Sequence, residues 1–153
     1  MTVTLAIAVA LLVFLYSQNS GLTVGSVVGG ILSHLSSEDI LTYAANAGFT
    51  EPDLDVAVAI AQAESSGNPS AIGDVALAPT NGPSIGLWQI NIGSKAHGSQ
   101  YTQEQLIDPQ QNANAAYAIY TRAGGQFSDW TTFSTGAYLA YMPSTYGNTD
   151  QSA

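Results

Sequence analysis

One glutamate in this sequence is well placed to move a proton. Glu64 ends the run LDVAVAIAQAES, residues 54–65, which is otherwise mostly Ala, Val and Ile. A carboxyl group in apolar surroundings has its charged form disfavoured, so its pKa rises. An acid still protonated near neutral pH can give its proton to a leaving oxygen. A helix C-terminus pushes the same way, because the helix dipole there disfavours negative charge. The competing reading is a solvated carboxylate at a helix end, and composition by itself favours it. A second carboxylate, Asp74, follows in a Gly/Pro-rich stretch. It either positions a water molecule or caps its own loop. Asp53 and Asp55 fall two to three helical turns before Glu64, too far to share its chemistry. Ser65 and Ser66 have no nearby histidine base, which argues against a serine hydrolase. His34 and His97 are isolated, and His97 reads as a surface residue at the edge of the site. No His/Asp/Glu spacing suggests a metal site, and there are no cysteines, so no metal and no cofactor is expected.

The elements that would hold these residues read as helices. Ser36-Ser37-Glu38-Asp39 offers a capping-box start, with Ser36 as N-cap. Ile40, Leu41, Ala44, Ala45 and Ala47 follow at helical spacing, and Gly48 closes the element. The helix ending near Glu64 starts close to Pro52 and is apolar nearly all round, which predicts burial. Residues 67–86 are rich in Gly and Pro and read as loop. A further helix is predicted over 112–122, with Asp108-Pro109 as its start signal and Gly124-Gly125 after its end. A last helical stretch is predicted over 130–141. Strand alternation is nowhere sustained, so the expected class is all-α.

Charge narrows the partners. Only 8% of the 153 residues are charged, against about 25% in a typical domain. Lys95 and Arg122 are the only Lys or Arg, and the net charge is -9. Nucleic acid is excluded as a partner, because phosphate binding needs clustered Lys and Arg. A ligand of this chain would have to be held by shape, stacking and hydrogen bonds. Trp88, Tyr117, Tyr120 and Trp130 could stack on the rings of a ligand, although Tyr117 and Tyr120, at helical spacing, read as core. Residues 1–35 precede the first charged side chain, Glu38, and contain two apolar stretches. They read as a membrane anchor or as a helix buried against other protein chains. A cleaved signal peptide ranks third, lacking a basic start and a small-residue cleavage site. Gly25 and Gly29 form a GxxxG pair, read here as incidental spacing in a flexible linker. The expected layout is therefore an N-terminal segment at 1–35, a helical domain at 36–147 and a polar tail at 148–153.

Four blocks in order carry a resemblance: AIAQAESSGNPSAIGD, PSIGLWQIN, LIDPQQNANAAYAIY and DWTTFSTGAY. They resemble the soluble lytic transglycosylases and goose-type lysozymes, over about residues 40–141. The resemblance implies a lysozyme-like helical domain that cuts peptidoglycan between N-acetylmuramic acid and N-acetylglucosamine. It implies that Glu64 is the single catalytic acid, with Ser65 following it. It implies that Gly86, Leu87, Trp88, Gln89 and Ile90 line the sugar cleft, Gln89 bonding substrate and Trp88 standing where many members have methionine. Asn91 falls among further cleft contacts, and Asp108, Pro109 and Asn112 match a mostly structural block. The late family block Tyr-Asn-Ala-Gly aligns with Phe133-Ser134-Thr135-Gly136, so Phe133 replaces a tyrosine thought to contact the acid or substrate. Tyr138 or Tyr141 is the expected source of the missing hydroxyl.

Glycosidases normally use two carboxyl groups. Lytic transglycosylases resemble them but use one and close a 1,6-anhydro ring, which makes a lytic transglycosylase the expected activity. Two alternatives stand beside it. One is a hydrolytic lysozyme in which Asp74 positions water. The other is a non-catalytic virion protein whose lysozyme-like domain only binds glycan. The small size, absence of basic surface and apolar residues 1–35 suggest a phage or conjugation setting, in the virion or anchored in a membrane, acting on the cell wall.

Overall fold

The computed structural model describes residues 34–75 and 81–144. The anchor and GxxxG readings on the N-terminal segment, and the polar tail, lie outside the described residues. Among the described residues the helices are, in order, α1 (Ser37–Ala47), α2 (Asp53–Ser65), α3 (Gln103–Leu106), α4 (Pro109–Arg122) and α5 (Thr131–Ser134). A 3-10 helix, Ala137–Tyr141, follows α5. Among the described residues, no helix is long and apolar enough to cross a membrane.

The capping signals act where the sequence places them. Ser36 accepts from the Asp39 backbone N–H while the Asp39 carboxylate accepts from the Ser36 N–H, a reciprocal capping box. Asp108 accepts from the Gln111 N–H at 2.8 Å, and Pro109 takes the first position of α4, where its missing N–H costs nothing. Helix α2 is the centre of the core: Val56 through Ala61 are all buried. Helix α1 adds Ile40 and Ala44, and α4 adds Ala113, Ala115, Ala116 and Ile119. Helix α1 packs on both α2 and α4, while α2 also meets the 3-10 helix. The small residues of α1, α2 and α4 let α1 pack closely on the other two helices, and Phe49 is buried beside them. Tyr117 and Tyr120 pack on it, with centroids 5.0 and 5.1 Å away. The Tyr120 hydroxyl donates to the Asp53 carboxylate, joining α4 to the first turn of α2. That carboxylate, chiefly through the hydrogen bond, pushes the phenol up to about 12.

Two features differ from the all-α expectation. A three-stranded antiparallel sheet, β1 (Ile72–Gly73), β2 (Ser84–Ile85) and β3 (Ile90–Asn91), occupies part of the region read as loop. Ile72 pairs with Ile85, and Ser84 with Asn91. Strands of two residues are too short to show alternation, so only the backbone pairing reveals them. The stretch read as one helix over 130–141 is broken at Gly136, whose φ of 78° ends α5 and starts the 3-10 helix.

Candidate functional site

Glu64 lies in the last turn of α2, just before Ser66, which ends the helix in the left-handed conformation with φ 53°. Its carboxyl group is half-buried, and burial drives its pKa above the ordinary carboxylate value. The negative charge of Asp74 acts in the same direction. Opposing both, the Thr132 hydroxyl donates to Glu64 Oε1 at 2.7 Å and the Thr132 backbone N–H also bonds the carboxyl. Burial outweighs these bonds, so the pKa stays above the ordinary carboxylate value. Thr132 sits in the first turn of α5, so the acid links two elements far apart in sequence.

A cleft of about 620 Å³ opens over Glu64. Its wall comes from the end of α2, the three strands, the segment 95–98 and the start of α5. Gln89 and Asn91 line it from the strand side, Lys95 and His97 from the segment after β3, and Asp129 and Trp130 from the approach to α5. Asp74 and Gln89 both line the cleft with positive φ, 57° and 46°. Left-handed backbone is uncommon outside glycine, so the fold holds both at a conformational cost.

The residues named from sequence divide into those on the wall and those behind it. Glu64, Gln89 and Asn91 share the cleft. Gln89 Nε2 donates to the Gly86 and Ala71 carbonyls at 2.9 and 3.3 Å, which fixes its amide across the turn. A Cβ on Gly73 would come within 2.3 Å of Gln89 Oε1, so glycine at 73 leaves room for that amide. Asn91 Nδ2 donates to the Gly82 carbonyl and to Ser84 Oγ, and its Oδ1 accepts from the Gly93 N–H. Its amide therefore braces the sheet.

Trp88, expected on the cleft wall, is wholly buried at 0% exposure instead. Its Nε1 donates to the Ala57 carbonyl, and its own carbonyl accepts from Trp130 Nε1, so the indole anchors the Gln89 turn to α2. Gly86, also expected on the wall, is likewise behind it. Its φ is 76°, and a Cβ there would meet Asn112 Nδ2 at 2.3 Å. It lets the turn lie close against α4. The Ser65 hydroxyl donates back to the Ala61 carbonyl at 2.9 Å, and the residue is not on the cleft wall. The Tyr138 ring stacks on Phe133 at 5.1 Å and does not line the cleft. Of the four aromatics considered for stacking, only Trp130 borders the cleft.

The sequence reading missed Thr132 altogether. A lone threonine carries no signal, yet Phe133 beside it marks the place where the resemblance lacked a hydroxyl. The hydroxyl on Glu64 comes from the neighbouring residue. The reading also missed the pairing of His97 Nδ1 with Asp129 Oδ2 at 2.7 Å on the rim. Removing the Thr132 hydroxyl should raise the Glu64 pKa further, because a bond that favours the charged form is lost. Carbon NMR titration of the Glu64 carboxyl in Thr132→Val should show the upward move, and Thr132→Ser should abolish it. An unmoved titration in the valine variant would mean that the hydroxyl does not govern the acid.

Residues 41–132, more than half of the chain, match the model of the family described as a lysozyme-like domain. No curated protein and no solved structure matches the chain.

Proposed function

The chain belongs to the lysozyme-like domain family, and from that premise we propose that it cleaves the glycan of peptidoglycan, as a lytic transglycosylase with Glu64 as its acid. The observation that carries this reading is the half-buried carboxyl of Glu64 in the cleft, held by Thr132 and with its pKa raised by burial. In the proposed reaction Glu64 protonates the oxygen joining N-acetylmuramic acid to N-acetylglucosamine, and the C1–O bond breaks. The C6 hydroxyl of the same muramic acid then attacks C1. Its proton passes to the Glu64 carboxylate, which restores the acid, and no water is consumed. Gln89, with its amide fixed, is the proposed sugar contact. Asn91, Trp88 and Gly86 support the strand wall, while Ser65 and Tyr138 act from behind the cleft.

The other two carboxylates on the wall support the one-acid reading. Asp129 is engaged by His97, and Asp74 accepts from Ser84 Oγ at 2.6 Å. One observation favours hydrolysis as a second reading: Asp74 shares the cleft and its charge reaches Glu64. The products separate the two. Mass spectrometry of digested walls should show 1,6-anhydro ends, and Asp74→Asn should change the rate by less than about tenfold. Reducing ends, together with a loss of about 100-fold or more in Asp74→Asn, would instead establish a water-activating base. A glycan-binding virion protein without activity would give no products at all. We also propose that the enzyme opens the wall locally, in a virion or at a membrane, retained by residues 1–35. The net charge of -9 supports this, since a wall cutter held in place needs no electrostatic attraction to its substrate.

A further inference from the structure

The placement of positive charge singles out one end of the cleft. The whole chain has two Lys or Arg side chains, Lys95 and Arg122, in a molecule of net charge -9. Lys95 lines the cleft, and Arg122 donates to the carbonyl of His97, another residue of the wall. Both cationic side chains therefore gather at the segment following β3. Arg122 is spent on the backbone of that segment, and His97 is paired with Asp129. Lys95 is exposed, and among the described residues no carboxylate lies within ion-pair distance of its ammonium. A surface lysine that served only solubility would have no reason to stand here, since eleven acidic residues already provide charge.

A net charge of -9 disfavours anions overall, while Lys95 puts an ammonium-bearing side chain on the cleft wall. A neutral sugar polymer needs no such group. Muramic acid strands do carry carboxylates, either on the peptide stems or on the lactyl arm once the stem is removed. We propose that Lys95 is a specificity-determining residue that takes a carboxylate of the substrate and so favours acid-bearing muramyl strands over neutral N-acetylglucosamine polymers. This inference rests on the glycan-cleavage reading.

The test uses the full chain and three ligands: peptide-bearing strands, amidase-stripped strands with free lactyl carboxylates, and neutral chitooligosaccharides. Lys95→Gln should lower kcat/KM on acid-bearing strands about fivefold, chiefly through KM, as expected for one solvent-exposed charge pair. Lys95→Arg should restore most of the loss. Cleavage of the neutral oligomer, or its Kd by calorimetry where turnover is too slow, should not change. High salt should bring the wild type down towards the glutamine variant. A loss confined to stripped strands identifies the lactyl carboxylate, and one confined to peptide-bearing strands identifies the stem. Equal losses on neutral and acidic ligands, or no loss on any, would overturn the proposal. Should the wild type cleave none of the three, the catalytic reading fails by itself. The Kd ratio of Lys95→Gln to wild type on each ligand then decides the role of Lys95.

Discussion

Glu64→Gln is expected to reduce wall cleavage by about 1,000-fold or more while leaving the fold intact. General acid catalysis contributes about 10² to 10⁴ to such a reaction, and here the same group also takes the proton from the attacking hydroxyl. Gln has nearly the shape of Glu, and its amide oxygen can still accept from Thr132. The amide nitrogen cannot supply a proton to a leaving oxygen. Release of soluble muropeptides from purified walls measures the loss. A variant clearing walls at the wild-type rate would remove Glu64 from the chemistry.

Thermal melts provide a check on why Glu64 is suited to the task. Its folded pKa is raised, so ionisation is harder in the native state than in the unfolded one. The neutral acid therefore contributes stability that is fully present below the unfolded value and is lost as the pH rises through the folded value. Gln remains neutral throughout. The melting temperatures of wild type and Glu64→Gln should agree at low pH. A gap in favour of the variant should open as the pH rises from the free-carboxyl range through the raised value. The same burial that makes the acid harder to ionise also lowers the stability of the fold as the pH rises.

The helical frame was legible in the sequence because its signals are local. The Ser36–Asp39 box, the Asp108-Pro109 start and the apolar girth of α2 each lie within one element. The candidate site was less legible, since its parts meet across the chain. Thr132 reaches Glu64 from 68 residues away, and Asp129 meets His97 across 32. The resemblance points to the hydroxyls of Tyr138 and Tyr141, although Thr132 makes the bond. Trp88 shows a different limit. A tryptophan inside a glycan-cleft block suits sugar stacking and core packing equally, because sequence reports its apolar surface and not the direction of its ring. Its hydrogen bond to the Ala57 carbonyl decides for the core. The short strands were missed because two residues cannot display a period.

The second large effect is expected far from the acid, at Asn112. This side chain is 0% exposed and makes three hydrogen bonds to backbone. Its Nδ2 donates to the Ile85 and Leu106 carbonyls, both at 2.9 Å, and its Oδ1 accepts from the Trp88 N–H at 2.9 Å. One amide on α4 thus fastens both ends of the turn 85–88 and ties α3 to it. Asn112→Leu has similar size but would remove all three buried hydrogen bonds, including the one to the Trp88 N–H. At about 1 kcal/mol for each lost bond, and more where a group is left unsatisfied, the loss should be about 3 kcal/mol or more. Total stability of a domain is about 5–15 kcal/mol, so the change is a large share of it. Urea unfolding should show a much lower midpoint with an unchanged slope. Activity should fall even where the protein remains folded, because Gln89 follows directly on that turn and lines the cleft. A loss below about 1 kcal/mol would mean that water or a shifted backbone satisfies the three groups. Asn112 would then be a bystander to the wall it is placed to hold.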